Sequence, residues 1–229
     1  MKNEGSRRAQ REKDRLRSRA DFVRKPGKKK QRQTILIVCH GQTEETYFKY
    51  LKEKLDLYRM GIVVKVVAKG EMAINVVQRA LSEREKLAKS FYTPYNSVWC
   101  VTDVEITPKD HSIPRAASLA KKNKINFILS NSCFEYWFIL HFEETASGFN
   151  YNKQVISRLK THHAGYTKKG NIEKVVKEIC KCIYDKTDFA IKNARKCRKA
   201  HKWGKDLTDH NPSTDVDKVV KKLIAISKM

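Results

Sequence analysis

The stretch ILIVCHGQTEETYF, which runs from Ile35 to Phe48, decides how this chain folds. It opens with the continuous apolar run ILIVC, as expected for a β-strand that is covered on both faces. The run ends at His40 and Gly41, and polar and acidic residues follow. A titratable histidine therefore stands where a buried strand ends. Its position raises the question of what chemistry it serves.

Beyond this strand, short apolar runs alternate with longer amphipathic segments. Thr43 is predicted to cap a first helix whose apolar residues recur every three to four positions as far as Tyr58. Strands alternating with helices predict an α/β fold, a doubly wound parallel sheet with right-handed crossovers. The further predicted strands are 62–68, 97–102 and 125–129, and the further predicted helices are 72–89 and 113–123.

After Ser130 the pattern becomes helical throughout, with helices predicted at 133–142, 152–160, 171–184, 186–201 and 215–227. We therefore predict three parts. Residues 1–33 form a basic tail that does not fold on its own, residues 34–130 form the α/β domain, and residues 131–229 form a helical C-terminal extension.

The charge of the chain favours a polyanionic partner. The formal net charge is +24, and a surplus of this size attracts nucleic acid by counterion release. Residues 1–34 hold 14 Lys and Arg against four Asp and Glu, with almost no large apolar side chains. This tail is either a solvated segment or an arm that gathers nucleic acid, and its composition fits both readings.

The sequence favours a cytoplasmic protein that does not cross a membrane. No apolar segment approaches the roughly 20 residues needed to span a bilayer. The basic stretch after Met1 lacks the apolar core of a secretory signal. The six cysteines lie mostly in apolar segments, where a reduced cysteine behaves as a small hydrophobic residue.

Polar residues at the ends of two predicted strands form the first candidate site. Ligands of open parallel sheets bind beyond the carboxyl ends of the strands, near the point where the strand order reverses. His40 follows the first strand, and Asp103 and Glu105 follow the third. Imidazole and carboxylate groups that converge from different segments can hold a metal ion. The alternative is that Asp103 caps the next turn and that Glu105 is solvated.

Other candidate residues have structural explanations that compete with functional ones. Glu44 lies in the first turn of a helix, where the helix macrodipole stabilises a carboxylate without any catalytic duty. Glu135 lies in an apolar helix, and the spacing Ser132-x-x-Glu135 predicts a capping box. His141, on the same helix, is interpreted as a core histidine. The stretch 166–170 is a basic loop that either contacts phosphates or is solvated.

Three segments carry a resemblance to a known family: ILIVCHGQTEETYFKYL, SNSCFEYWFILHF and HNPSTDVDKVVKKL. They resemble the RloB-like proteins, a TOPRIM-related group associated with abortive phage infection. The resemblance extends over nearly the whole chain from Thr34 onward. It implies a TOPRIM-like domain followed by helices, with a divalent metal site, Mg²⁺ or Mn²⁺, used for phosphodiester chemistry.

The site that the resemblance implies departs from the TOPRIM pattern at one position. TOPRIM proteins place a Glu-Gly pair after the first strand and Asp-x-Asp after the third. Asp103 and Glu105 match the second motif with a conservative change, but His40 stands before Gly41 where glutamate is expected. Imidazole favours Mn²⁺ or Zn²⁺ over Mg²⁺ and can act as a general base. His40 is thus a variant with altered metal preference, the mark of an inactive site, or a substitution that disarms a nuclease.

The resemblance implies an anti-phage effector that cleaves nucleic acid, with RNA favoured over DNA and tRNA in particular. In this hypothesis His40, Asp103 and Glu105 bind the metal, and His40 and Glu44 complete its shell or transfer protons. Gly41 and Glu135 support these residues, and Lys69, Lys168 and Lys169 contact nucleic acid. The expected partner is an ABC-type ATPase, and a homodimer is one candidate assembly. The alternatives are a nucleic-acid-binding module without catalysis and an adaptor that contacts only the ATPase.

Overall fold

The computed structural model describes residues 34–59, 61–66, 72–89, 94–104, 110–201 and 207–228. All of them lie in one compact unit, residues 32–229. In chain order the elements are β1 (Thr34–Cys39), α1 (Gln42–Lys54), β2 (Gly61–Val66), α2 (Ala73–Lys89), β3 (Ser97–Asp103), α3 (Ile113–Lys122), β4 (Asn126–Asn131), α4 (Glu135–Ile139), α5 (Asn152–His162), α6 (Ile172–Ile183), α7 (Thr187–Ala200), β5 (Ser213–Thr214) and α8 (Val216–Ser227).

The described strands form one sheet in the order β2-β1-β3-β4-β5. The first four strands are parallel, with Ile37 of β1 opposite both Val64 of β2 and Trp99 of β3. The chain leaves β1 for β2 on one side and returns to β3 on the other. The strand order therefore reverses between β1 and β3. The predicted α/β class and its parallel strands are confirmed.

Side chains that alternate along the strands divide the core between the two faces of the sheet. Ile35 and Ile37 of β1 pack with α1 and with helices α4 to α8. Leu36 and Val38 pack with α2 and α3. Because β1 is buried on both faces from Ile35 onward, its sequence from Ile35 to Cys39 is apolar at every position rather than at every second one.

The first helix differs from the prediction at both ends. Gly41, with an extended backbone, occupies the N-cap position instead of Thr43, and no side chain caps the helix. At the other end α1 stops at Lys54, because Asp56 adopts a left-handed backbone conformation (φ 49°) that a helix cannot contain. A short 3-10 turn, Leu57–Arg59, then covers the residues that the prediction had assigned to the helix.

The region after residue 131 is not helical throughout, which corrects the prediction. Ser213 and Thr214 form β5, which pairs antiparallel with the end of β4. The Ser130 and Thr214 hydroxyl groups share a hydrogen bond of 2.9 Å. A two-residue strand is too short to show a periodic apolar pattern, so the sequence carries no signal for it. Within the described part of the chain, no helix is long and apolar enough to cross a bilayer.

Candidate metal centre

Three predicted residues lie together at the carboxyl edge of the sheet. His40 directly follows β1, Glu44 lies in the first turn of α1, and Asp103 ends β3. One ligand atom from each lies within 4.8 Å of the other two, and this is the group of potential metal ligands found among the described residues. The group stands where the strand order reverses, which is the position at which open parallel sheets bind ligands.

Backbone geometry brings Glu44 back over the end of β1. The His40 amide donates a hydrogen bond of 3.0 Å to the Val101 carbonyl, so the pairing of β1 with β3 continues to His40. Gly41 then turns the chain into α1. A methyl group on Gly41 would lie 2.8 Å from Glu44 Oε2, so the carboxylate occupies the space that a side chain at Gly41 would need.

Asp103 is a buried carboxyl group in an electronegative setting. Burial and the nearby Glu44 and Glu135 raise the pKa of Asp103 well above its ordinary range, against the opposing effects of Lys168 and the Phe134 backbone amide. Its Oδ1 atom is buried and accepts no hydrogen bond from the described residues. A cation beside Asp103 would meet this unsatisfied oxygen and stabilise the ionised carboxylate.

A second group of residues borders the triad from the helical side. Glu135 is completely buried, and its Oε1 atom lies 2.9 Å from Lys168 Nζ. The Tyr166 hydroxyl donates a 2.8 Å hydrogen bond to the same oxygen. Although partial burial works against the charge, Glu135 raises the pKa of Lys168, so the ammonium group is protonated at neutral pH.

His40 is the most exposed member of the triad and lies within electrostatic range of Asp110. The Asp110 carboxylate accepts hydrogen bonds from the backbone amides of Ala73 and Ser112, at 2.6 and 2.7 Å. Against the effect of partial burial, these bonds lower the pKa of Asp110. Asp110 therefore holds the start of α2 against the segment that leads into α3.

The structure brings some of the other predicted residues to this site and leaves others undescribed. Glu135 and Lys168 lie at the site, whereas Lys169 is exposed on the loop, with its amide bound to Thr167. Glu105 and Lys69 lie outside the described residues, so their assigned roles stay predictions. The capping box at Ser132 and Glu135 is wrong, because the Glu135 carboxylate binds Lys168 and Tyr166 and α4 has no side-chain cap.

Sequence reasoning missed Tyr166 and Asp110. Tyr166 was included in a loop interpreted as exposed, yet only 1% of its surface is accessible and its ring packs edge-on against Phe138. A single aromatic residue within the polar stretch HHAGYTKKG was the available signal. Asp110 gave no comparable signal. Its carboxylate accepts hydrogen bonds from the backbone amides of Ala73 and Ser112, and nearly every residue type offers such an amide.

The donor set of the triad fits a divalent cation. Two carboxylates favour hard ions such as Mg²⁺ and Mn²⁺, while the imidazole of His40 shifts the preference toward Mn²⁺ or Zn²⁺. Asp103 Oδ1 has no hydrogen-bond partner among the described residues. The carboxyl groups of Glu44 and Glu135 also act on Asp103, so the site lacks positive charge to balance its carboxylates. Mn²⁺ accepts both ligand types, so it suits this set better than Mg²⁺ does.

The fold and the site define a class of protein: an α/β protein with a histidine-carboxylate cluster at the point where its strand order reverses. Within this class the chain belongs to the RloB-like protein family, whose sequence profile matches residues 35–223. The matched range includes the whole triad as well as Glu135 and Lys168. No curated protein and no solved structure gives a significant match to the chain.

Proposed function

We propose that this protein is a divalent-metal-dependent nuclease whose metal is held by His40, Glu44 and Asp103. The observation that carries the proposal is the convergence of these three side chains within 4.8 Å at the carboxyl edge of the sheet. The parallel sheet with acidic residues at its strand ends is consistent with the TOPRIM-like fold that the sequence motifs imply. Glu105, two residues beyond Asp103, is a further candidate ligand in this proposal.

The proposed chemistry is hydrolysis of a phosphodiester. A bound divalent ion supplies a Lewis acid that activates water and stabilises charge on the phosphate. Water adds to phosphorus as the ester oxygen leaves, and the products are a phosphate monoester and a hydroxyl group. Glu44 and Asp103 fix the ion through anionic oxygens. His40, the most exposed of the three, would either complete the ligand shell or, with its ring nitrogen free of the ion, accept the proton of the attacking water.

RNA, and tRNA in particular, is the proposed substrate. The net charge of +24 supports a polyanionic substrate, and the preference for RNA follows from the family resemblance. Membership of the RloB-like family supports a role in defence against phage. We extend the proposal to control by an ABC-type ATPase in the cytoplasm, with the helices after residue 131 as the surface that such a partner would contact.

The test is a cleavage assay on total tRNA and on plasmid DNA with Mg²⁺ or Mn²⁺. Asp103→Asn keeps the shape of the side chain but removes the anionic ligand, so we expect it to abolish cleavage and to weaken Mn²⁺ binding in calorimetry. Asp188→Asn is the matched control, because Asp188 lies exposed in the first turn of α7, and it should match the unmodified protein. Unchanged cleavage by Asp103→Asn would overturn the assignment of the site.

The variant His40→Glu separates the three interpretations of His40. Cleavage by the unmodified protein shows that histidine serves in an active site. Cleavage by His40→Glu alone shows a nuclease disarmed at one position. If neither protein cleaves, with an ABC-type ATPase supplied, the nuclease proposal fails. Salt-sensitive RNA binding without a metal requirement would then indicate a binding module, and no RNA binding would indicate an adaptor.

A further inference from the structure

Lys168 is a partly exposed lysine whose charge acts on the metal triad. Its side chain is 46% exposed, while its partner Glu135 is completely buried. The ammonium group acts electrostatically on Asp103 as well as on Glu135. Lys168 therefore combines an ion pair with the buried Glu135, and an electrostatic effect on Asp103, with access from solvent.

Two buried residues, Glu135 and Tyr166, hold Lys168 in its position. Glu135 Oε1 receives both Lys168 Nζ, at 2.9 Å, and the Tyr166 hydroxyl, at 2.8 Å. Tyr166 is itself held by its edge-on packing against Phe138, with the ring centres 6.1 Å apart. The loop between α5 and α6 is thus attached to the core two residues before Lys168. Such attachment holds the ammonium group in one place before any ligand arrives.

The ammonium group also has hydrogen-bonding capacity left over. It carries three N–H donors, and Glu135 Oε1 is the acceptor that the structure shows for it. A lysine of this kind binds phosphate oxygens as a point charge. When a divalent ion neutralises Glu44 and Asp103, Glu135 remains as an anion that acts on Lys168. Its Oε1 atom has a second donor in Tyr166, while its Oε2 atom has no hydrogen-bond partner among the described residues. A phosphate bound to the ion would then lie near the Lys168 ammonium group, which is positively charged and has further N–H donors to offer.

We propose that Lys168 binds a non-bridging oxygen of the phosphodiester that lies on the metal, and that Glu135 and Tyr166 are positioning residues for Lys168. This inference rests on the proposed nuclease function. It makes Lys168 a catalytic residue, because negative charge grows on the phosphate oxygens as water attacks. A preorganised donor aimed at such an oxygen typically accelerates a reaction by about 100- to 1,000-fold.

The competing explanation is that Lys168 only neutralises the buried Glu135. Both explanations predict damage in Lys168→Ala, which leaves a buried carboxylate unpaired. The double variant Lys168→Ala/Glu135→Gln separates them because it removes the unpaired charge. A purely structural lysine predicts that the double variant recovers cleavage. Our proposal predicts that it folds and stays inactive.

The kinetic test compares tRNA cleavage by these variants with that of Lys121→Ala, which removes an exposed lysine in the last turn of α3. We expect Lys168→Ala and the double variant to lose about 100-fold in kcat, in keeping with the loss of one oxyanion donor, with KM nearly unchanged. Added ethylammonium should restore part of the rate in both, and Lys121→Ala should match the unmodified protein. Recovery of cleavage in the double variant would overturn the proposal.

A binding measurement tests Lys168 without relying on cleavage. Protein labelled with ¹⁵N at lysine side chains is titrated with dimethyl phosphate at saturating Mg²⁺, and the Lys168 signal is assigned from its loss in Lys168→Arg. We expect the Lys168 ammonium resonance to shift and that of Lys121 to stay in place. If the protein cleaves no substrate and Lys168 still shifts, only the nuclease proposal fails. A Lys168 signal that does not respond refutes this inference.

Discussion

Gly41 controls the position of Glu44, a proposed metal ligand, because it has no side chain. A methyl group on Gly41 would lie only 2.8 Å from Glu44 Oε2, which is too close for the two groups to stay in place. The backbone of Gly41 is extended (φ −140°), a conformation that alanine adopts without strain. The requirement for glycine here comes from the neighbouring carboxylate and not from the backbone.

Gly41→Ala is therefore expected to weaken metal binding more than it affects folding. The new methyl group displaces the end of the Glu44 side chain, and loss of ligand positioning typically lowers metal affinity by about 10- to 100-fold. Calorimetric titration with Mn²⁺ measures this. Gly165→Ala is the control, because its nearest neighbour would be 3.9 Å away and no displacement is needed. Equal Mn²⁺ affinity in the two variants would contradict the role assigned to Gly41.

His141 gives the fold a pH dependence. Burial lowers the pKa of His141 from 6.5 to about 4, against the opposing effect of its backbone contacts with Trp137 and Phe138. The unfolded chain therefore binds a proton that the folded one excludes. The contribution of neutral His141 to stability is complete above pH 6.5 and is lost as the pH falls toward 4.

We expect this loss to reach about 3 kcal/mol in the free energy of unfolding, given 1.36 kcal/mol for each pKa unit. His141→Asn can keep the hydrogen bond to the Trp137 carbonyl, which His141 Nδ1 makes at 2.9 Å, but it cannot titrate. Urea unfolding at a series of pH values should show a smaller decrease for this variant between pH 6.5 and pH 4. Parallel curves for the two proteins would show that His141 does not titrate in this range.

The contents of the site divide into residues that sequence predicts and residues that it does not. His40 and Asp103 were predictable because buried parallel strands are recognisable by their continuous apolar runs, and their ends meet at one edge of the sheet. The capping box predicted for Glu135 was wrong because the partner of its carboxylate, Lys168, lies 33 positions away. A local spacing such as Ser132-x-x-Glu135 suggests a local partner, whereas a contact between distant segments leaves no spacing to read.

At the scale of elements, an ion-pair cluster joins α7, β5 and α8. The buried carboxylate of Asp217 accepts hydrogen bonds from Arg198 Nη1 at 2.6 Å, Arg198 Nη2 at 3.0 Å and Lys221 Nζ at 2.7 Å. Arg198 also donates to the Thr214 carbonyl. One guanidinium group from α7 thus holds the short strand that pairs with β4 and the helix that follows it.

Arg198→Met should lower the free energy of unfolding by about 3 kcal/mol, because removing one partner leaves a buried charge poorly compensated. The double variant Arg198→Met/Asp217→Leu should recover most of this loss. Urea unfolding measures both effects, provided that the slope with denaturant is unchanged. Lys196→Met, which breaks the exposed ion pair with Glu144, is the control and should cost less than about 1 kcal/mol. Additive losses in the double variant would refute the coupling.

The positions of the longer helices and strands could be predicted from the sequence, whereas the short strand β5 and the end of α1 could not. Strands β1 to β4 and helices α2, α3 and α5 to α8 lie close to their predicted positions because each carries enough residues to show an apolar pattern. The two residues of β5 and the break at Asp56 are set by tertiary pairing and by one backbone angle. Such features involve too few residues for a pattern to form.

For the whole molecule, the net charge of +24 predicts RNA binding that depends steeply on salt. A protein that neutralises several phosphates typically loses about 1,000-fold or more in affinity between 50 and 200 mM salt. Fluorescence anisotropy with labelled tRNA, in EDTA to prevent cleavage, should show a linear decrease of log affinity with log salt concentration. An adaptor without a nucleic-acid function would show no affinity at physiological salt.

The pairing of β4 with β5 has a consequence for how this protein is made. A ribosome synthesises β1 to β4 within residues 34–131, but the strand that pairs with Ser130 and Asn131, at the end of β4, follows only at residues 213–214. Until then the backbone groups at this end of β4 lack their partner strand, and other chains can pair with them. Chains that stop before residue 213 should therefore expose this end of β4 to pairing with other chains, and we expect them to aggregate more readily than the chain that includes β5.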